Sequence, residues 1–96
     1  MNWLITGGCG FIGTSLITRL LLDEDSKHNI RILDNLSTGS RDDLSSVTSF
    51  IELKDIDNSS FSTNSVELIV GDILDENLAN RVTNNIDVIV HLAANT

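Results

Sequence analysis

The stretch "ITGGCGFIG", running from Ile5 to Gly13, decides how this chain is read. Three glycines, Gly7, Gly8 and Gly10, fall between one apolar run, "NWLIT" (2–6), and another that begins at Phe11, and a fourth, Gly13, sits inside that second run. A short apolar run that stops at glycines predicts a buried strand. Beyond the glycines, Phe11, Ile12, Leu16, Ile17, Leu20 and Leu21 recur at helical spacing, which predicts a helix from Phe11 to about Asp23. The glycines therefore join a strand to a helix. Glycine tolerates the sharp turn this requires. With no side chain it leaves the backbone bare to a diphosphate. The helix that follows offers its first N–H groups and the positive end of its dipole to phosphate oxygens. The spacing fits two patterns. Gly8, Gly10 and Gly13 match G-x-G-x-x-G, and Gly7, Gly10 and Gly13 match G-x-x-G-x-x-G. A structural turn alone would use the same residues. The strand before and the helix after supply the context a nucleotide fingerprint needs.

Asp34 adds weight from a second place. It ends the predicted strand "NIRILD" (29–34), about twenty residues past the last glycine, where an acid can accept hydrogen bonds from ribose hydroxyls. A carboxylate there also repels a 2′-phosphate, which favours NAD over NADP. The competing reading is a turn-starting aspartate. Two further strands are predicted, "VELIVGD" (66–72) and "IDVIVHLAA" (86–94), with a helix from Asp75 to Asn84 between them. The segment 41–65 is the least legible. It holds a short helix near Arg41–Ser46, the extended "SFIEL", and the polar run "DNSSFSTNS", which reads as a surface loop. Apolar strands alternating with helices imply a parallel sheet covered on both faces. The fold class is therefore α/β, with a Rossmann-type parallel sheet whose four strands stand in the order 3-2-1-4.

Composition narrows the function classes. A chain of 96 residues makes one small domain at most. The net charge of −8 argues against nucleic acid and anionic membranes as partners, because both require a basic footprint. The single cysteine, Cys9, gives neither a disulfide framework nor a metal site, and it reads as a small filler in the glycine run. No signal peptide precedes the first strand, so a cytoplasmic location is the expectation. Trp3 reads as core. His91 ends a strand with no visible partner and reads as a packing residue. The acids Asp72, Asp75 and Glu76 lack metal-ligand spacing and read as a helix N-terminus favoured by the dipole.

"TGGCGFIG", "DNLSTG", "GDILD" and "HLAA", in that order, resemble the motifs of the extended short-chain dehydrogenases/reductases. The likeness is to the NAD-dependent epimerase/dehydratase group that acts on nucleotide sugars. It implies that Gly7, Gly10, Phe11, Ile12 and Gly13 surround the diphosphate of NAD and that Asp34 holds the adenosine ribose. It further implies that Asn35, Leu36, Ser37, Thr38 and Gly39 form the loop beside that ribose. Asp72 and Ile73 would meet the adenine edge, and Leu92, Ala93 and Ala94 would line the cofactor, with Thr96 a weaker candidate. The stretch 41–65 matches none of the motifs.

The resemblance also shows what is missing. The group's hydride chemistry uses a tyrosine as acid/base with a lysine four residues on. This chain has no tyrosine, and its lysines, Lys27 and Lys54, lie elsewhere. No catalytic residue is therefore expected within residues 1–96, which read as the first part of an NAD-binding domain in a longer enzyme. The expected activity of such a parent is hydride transfer at the C4 carbon of a nucleotide sugar. A self-contained NAD or adenine-nucleotide binding module, and a remnant that binds nothing, stay open beside it. The last strand would leave an apolar sheet edge prone to pairing with a second copy.

Overall fold

The computed structural model describes residues 1–23, 28–36, 39–53, 66–72 and 74–92. Its elements in chain order are β1 (Asn2–Thr6), α1 (Phe11–Leu21), β2 (Asn29–Asp34), α2 (Arg41–Ser45), β3 (Ile51–Glu52), β4 (Val66–Val70), α3 (Glu76–Val82) and β5 (Val88–His91). The strands form one parallel sheet in the order β3-β4-β2-β1-β5. The four predicted strands keep the order expected for them. The difference is β3, a two-residue strand that pairs outside β4 and makes the sheet five-stranded. Both of its residues are exposed, so no burial pattern marks it in the sequence.

Alternation along the strands builds two cores. Ile5, Ile30, Ile32, Val66 and Leu68 point to one face, where Ile17 of α1 and Leu44 of α2 close over them. Leu4, Leu33 and Ile69 point to the other, where Val82 of α3 covers them. Burial on both faces explains why β2 and β4 are apolar nearly throughout rather than alternating. The exception is a charged pair inside the second face. Arg31 and Glu67 sit opposite each other on β2 and β4, 1% and 4% exposed, with Arg31 Nε 3.3 Å from Glu67 Oε2. Arg31 also donates to the carbonyl of Val82 at 3.1 Å, so its cation caps the C-terminal end of α3.

The cover thins toward β5. Ile89 stands opposite Leu4 and so faces the second core, yet it is 55% exposed. Double-sided burial therefore fails at this strand, which forms one edge of the sheet. Trp3 departs from expectation too. It is half-buried rather than core, because its indole N–H donates to His28 Nδ1 at 3.0 Å. An indole can only donate, so Nδ1 accepts and the imidazole proton sits on Nε2, 3.0 Å from Asp23 Oδ2. No helix among the described residues is long and apolar enough to cross a membrane.

Candidate functional site

Parallel strands bring all their C-terminal ends to one edge. The chain leaves β1 toward β2 and later crosses back to β5 on the other side of β1. Open α/β sheets bind ligands at such a reversal, outside the carboxyl ends of the strands. The glycine corner stands there. The N–H of Gly7 donates to the Leu33 carbonyl at 2.8 Å, which ties the corner to β2. Gly7 has φ 75°, a left-handed conformation that strongly favours glycine. Gly10 then closes a turn onto the Gly7 carbonyl and becomes the N-cap of α1, with no side chain capping the helix. A Cβ placed on Gly13 would lie 2.6 Å from Gly8 Cα, so the first turn of α1 rests directly on the loop. A Cβ on Gly10 would meet only the Gly7 carbonyl oxygen, at 3.5 Å. The backbone at Gly10 is thus open to an approaching group. Phe11 and Ile12, 87% and 66% exposed, flank it with bare apolar surface.

Asp34 is built into this corner rather than standing beside it. Its side chain is 6% exposed. Oδ2 accepts from the Cys9 N–H at 2.8 Å, and Oδ1 accepts from the Leu36 N–H at 2.8 Å. The second bond is that of a turn-starting aspartate, the role the sequence allowed as a competing reading. Leu36 has φ 61°, uncommon for a leucine, and the bond to Asp34 helps hold it there. A carboxylate offers about four lone-pair positions, and these two bonds leave positions for further donors. Gly39 is packed so tightly that a Cβ would strike the Cys9 carbonyl, which brings the chain after β2 back against the glycine run. Asn35 is exposed and Leu36 half-buried against the first core. Ser37 and Thr38 lie outside the described residues.

The other strand ends contribute less. Gly71 donates its N–H to the Asp34 carbonyl at 3.1 Å, so the end of β4 is anchored beside β2. Asp72 follows, exposed, with Oδ1 accepting from the Leu74 N–H at 2.9 Å. Asp75 is the N-cap of α3 and accepts from the Leu78 N–H at 3.2 Å, with Glu76 in the first turn, as the dipole argument requires. Leu92 packs on the first core and donates its N–H to the Thr6 carbonyl at 2.9 Å. Ile73, Ala93, Ala94 and Thr96 lie outside the described residues. His91, which the sequence left without a partner, stands opposite Thr6 with Nδ1 2.7 Å from the buried Thr6 hydroxyl. Only the parallel register of β1 and β5 reveals that pair.

Cys9 is fully buried in the first core, as a filler should be. Burial first, then the neighbouring Asp34 carboxylate, pushes its thiol up to about 12 from an ordinary 9.0. At pH 8 such a thiol holds about a thousandfold less thiolate than an unfolded one, and thiolate is the reactive form. Native protein is therefore expected to react with a disulfide reagent at least a thousandfold more slowly than protein in denaturant. Comparable rates would show the corner to be open at Cys9.

A sequence profile of the 3-beta hydroxysteroid dehydrogenase/isomerase family matches residues 4–96. The chain belongs to this family of NAD-dependent epimerase/dehydratase type, within the extended short-chain dehydrogenases/reductases. A putative UDP-glucose 4-epimerase of Methanocaldococcus jannaschii is 31% identical over 85 residues, which cover 84% of this chain and 27% of that protein. The crystal structure of a dTDP-glucose 4,6-dehydratase from Bacillus anthracis, in complex with NAD, superposes with a TM-score of 0.75 at 26% identity. The match covers 99% of this chain and 27% of that one. A UDP-glucose 4-epimerase from Bifidobacterium longum, in complex with NAD+ and UDP, gives a TM-score of 0.70 at 26% identity, covering all of this chain and 25% of that one. The chain thus spans about a quarter of the length of the relatives it matches.

Proposed function

We propose that this chain is the NAD-binding segment of a nucleotide-sugar epimerase or dehydratase. The observation that carries this reading is the Asp34 carboxylate, buried at the C-terminal end of β2 and bonded to the backbone of the glycine corner. The residues present fit the group. Gly10 leaves the backbone accessible, the N-terminus of α1 has no side-chain cap, and Asp34 keeps lone pairs for a diol. In this arrangement the first turn of α1 holds the diphosphate, and Asp34 orients the adenosine ribose. Phe11 and Ile12 supply apolar cover, and Asp72, exposed beyond β4, is the residue that the family resemblance assigns to the adenine edge. NAD, when bound, supplies a hydride acceptor and donor for a sugar carbon. This chain's part is binding and orientation, since it carries no tyrosine to act as acid/base. Relatives named as nucleotide-sugar epimerases and dehydratases support the substrate class.

Titration calorimetry of the full chain with NAD tests the reading. Binding with one-to-one stoichiometry is the expected result, and wild-type protein that is folded yet releases no heat with NAD would remove it. The same titration separates this reading from a remnant that binds nothing.

A further inference from the structure

Beyond Asp34, the structure shows a second feature that bears on which dinucleotide the corner accepts. Arg41 is the first cationic residue after Asp34 in the sequence, and it opens α2 two residues beyond the packed Gly39. Gly39 presses on the carbonyl of Cys9, and the N–H of Cys9 is held by Asp34. Gly39 and the N-cap Ser40 thus set Arg41 at the start of α2, beside the glycine run. A free guanidinium in that position matches a phosphate well, through two parallel N–H bonds. Here both arms are engaged. Arg41 Nε lies 2.5 Å and its terminal nitrogen 3.2 Å from the two carboxylate oxygens of Glu52. Glu52 is delivered by β3, whose pairing with β4 fixes it opposite Leu68.

We propose that Glu52 is a specificity-determining residue: by occupying Arg41 it denies a 2′-phosphate its cation, which disfavours NADP independently of Asp34. The proposal rests on the NAD reading of the corner and explains a feature that reading leaves unused. It also gives β3 a role, since a strand of two exposed residues adds little to the core. The pair is partly exposed, 52% and 34%, so a ligand phosphate can compete for it and the effect is bounded.

The test is calorimetric, with NAD and NADP as probes, on wild type, Glu52→Gln and Arg41→Met/Glu52→Gln, each checked for folding by circular dichroism. In Glu52→Gln the preference for NAD over NADP is expected to fall about fivefold, the scale of one partly solvated phosphate contact. Removing Arg41 as well is expected to restore the preference. An unchanged preference in Glu52→Gln overturns the proposal. So does a double variant that keeps the gain, because the effect is then mere loss of a negative charge. Wild-type protein that fails to bind NAD overturns the site itself, whereas NAD binding with an unmoved preference overturns this inference alone.

Discussion

Replacing Asp34 by alanine is expected to destabilise the fold by about 3–4 kcal/mol, before any question of cofactor arises. The reason is the pair of backbone N–H groups, of Cys9 and Leu36, that end on its carboxylate. Hydrogen bonds to a charged group contribute about 1.5–3 kcal/mol each, and losing a buried acceptor leaves its donors unsatisfied. Cys9 is fully buried, so its N–H finds no easy replacement. Leu36 would also lose the bond that holds it at positive φ. Urea unfolding of wild type and Asp34→Ala measures the cost directly. Loss of less than about 1 kcal/mol would mean that water takes over both N–H groups.

This structural duty has to be separated from the ribose contact proposed for the same carboxylate. Alanine removes the corner and the ligand contact together, so weaker NAD binding by that variant would not say which was lost. Asparagine keeps the shape and one acceptor oxygen, but its NH2 group must face either the Cys9 or the Leu36 N–H, so one of the two backbone bonds is lost together with the charge that a diol would use. Asp34→Asn is expected to remain folded and to raise the NAD dissociation constant roughly tenfold, as one charge-assisted bond requires. An unchanged constant in folded Asp34→Asn would confine the residue to its structural role.

What the sequence disclosed was what local chemistry encodes. The glycine run, the apolar strands and the periodic helix α1 each carry their signal within about ten residues, and all fall where expected. Strand order for the four long strands followed as well, because topology rules leave few choices once helices alternate with strands. What stayed hidden depends on register. Nothing near His91 names Thr6 as its partner, and nothing near Asp34 points to the N–H of Cys9, 25 residues earlier. Trp3 reads as core because hydropathy ignores the indole N–H, which here donates to His28 on a half-buried ring. The short β3 carries no period at all, and its place is set by pairing with β4. The ends of the proposed cofactor wall, Ser37, Thr38, Ile73, Ala93 and Ala94, rest on resemblance alone.

Arg31 and Glu67 are the sharpest case of a feature invisible in one dimension, and they yield the other large prediction. Each sits in a strand otherwise apolar, and only the β2–β4 register brings them together. Glu67→Ala is expected to destabilise the protein by about 3–5 kcal/mol, because it removes the carboxylate that faces a cation 1% exposed. In a domain whose whole stability is about 5–15 kcal/mol, that change would leave a measurable unfolded population. The pair itself need not be stabilising, since two desolvated charges often do no better than apolar residues of similar size. Arg31→Met/Glu67→Leu is therefore expected to recover most of the loss. It should still fall short of wild type by about 0.3–1 kcal/mol, because Arg31 also faces the C-terminal carbonyl of α3 and the macrodipole there favours a cation. Urea unfolding of the single and double variants at neutral pH measures both quantities. A Glu67→Ala variant as stable as wild type would mean that water reaches Arg31, and the second core would then be wetter than its packing against Leu33, Ile69 and Val82 implies.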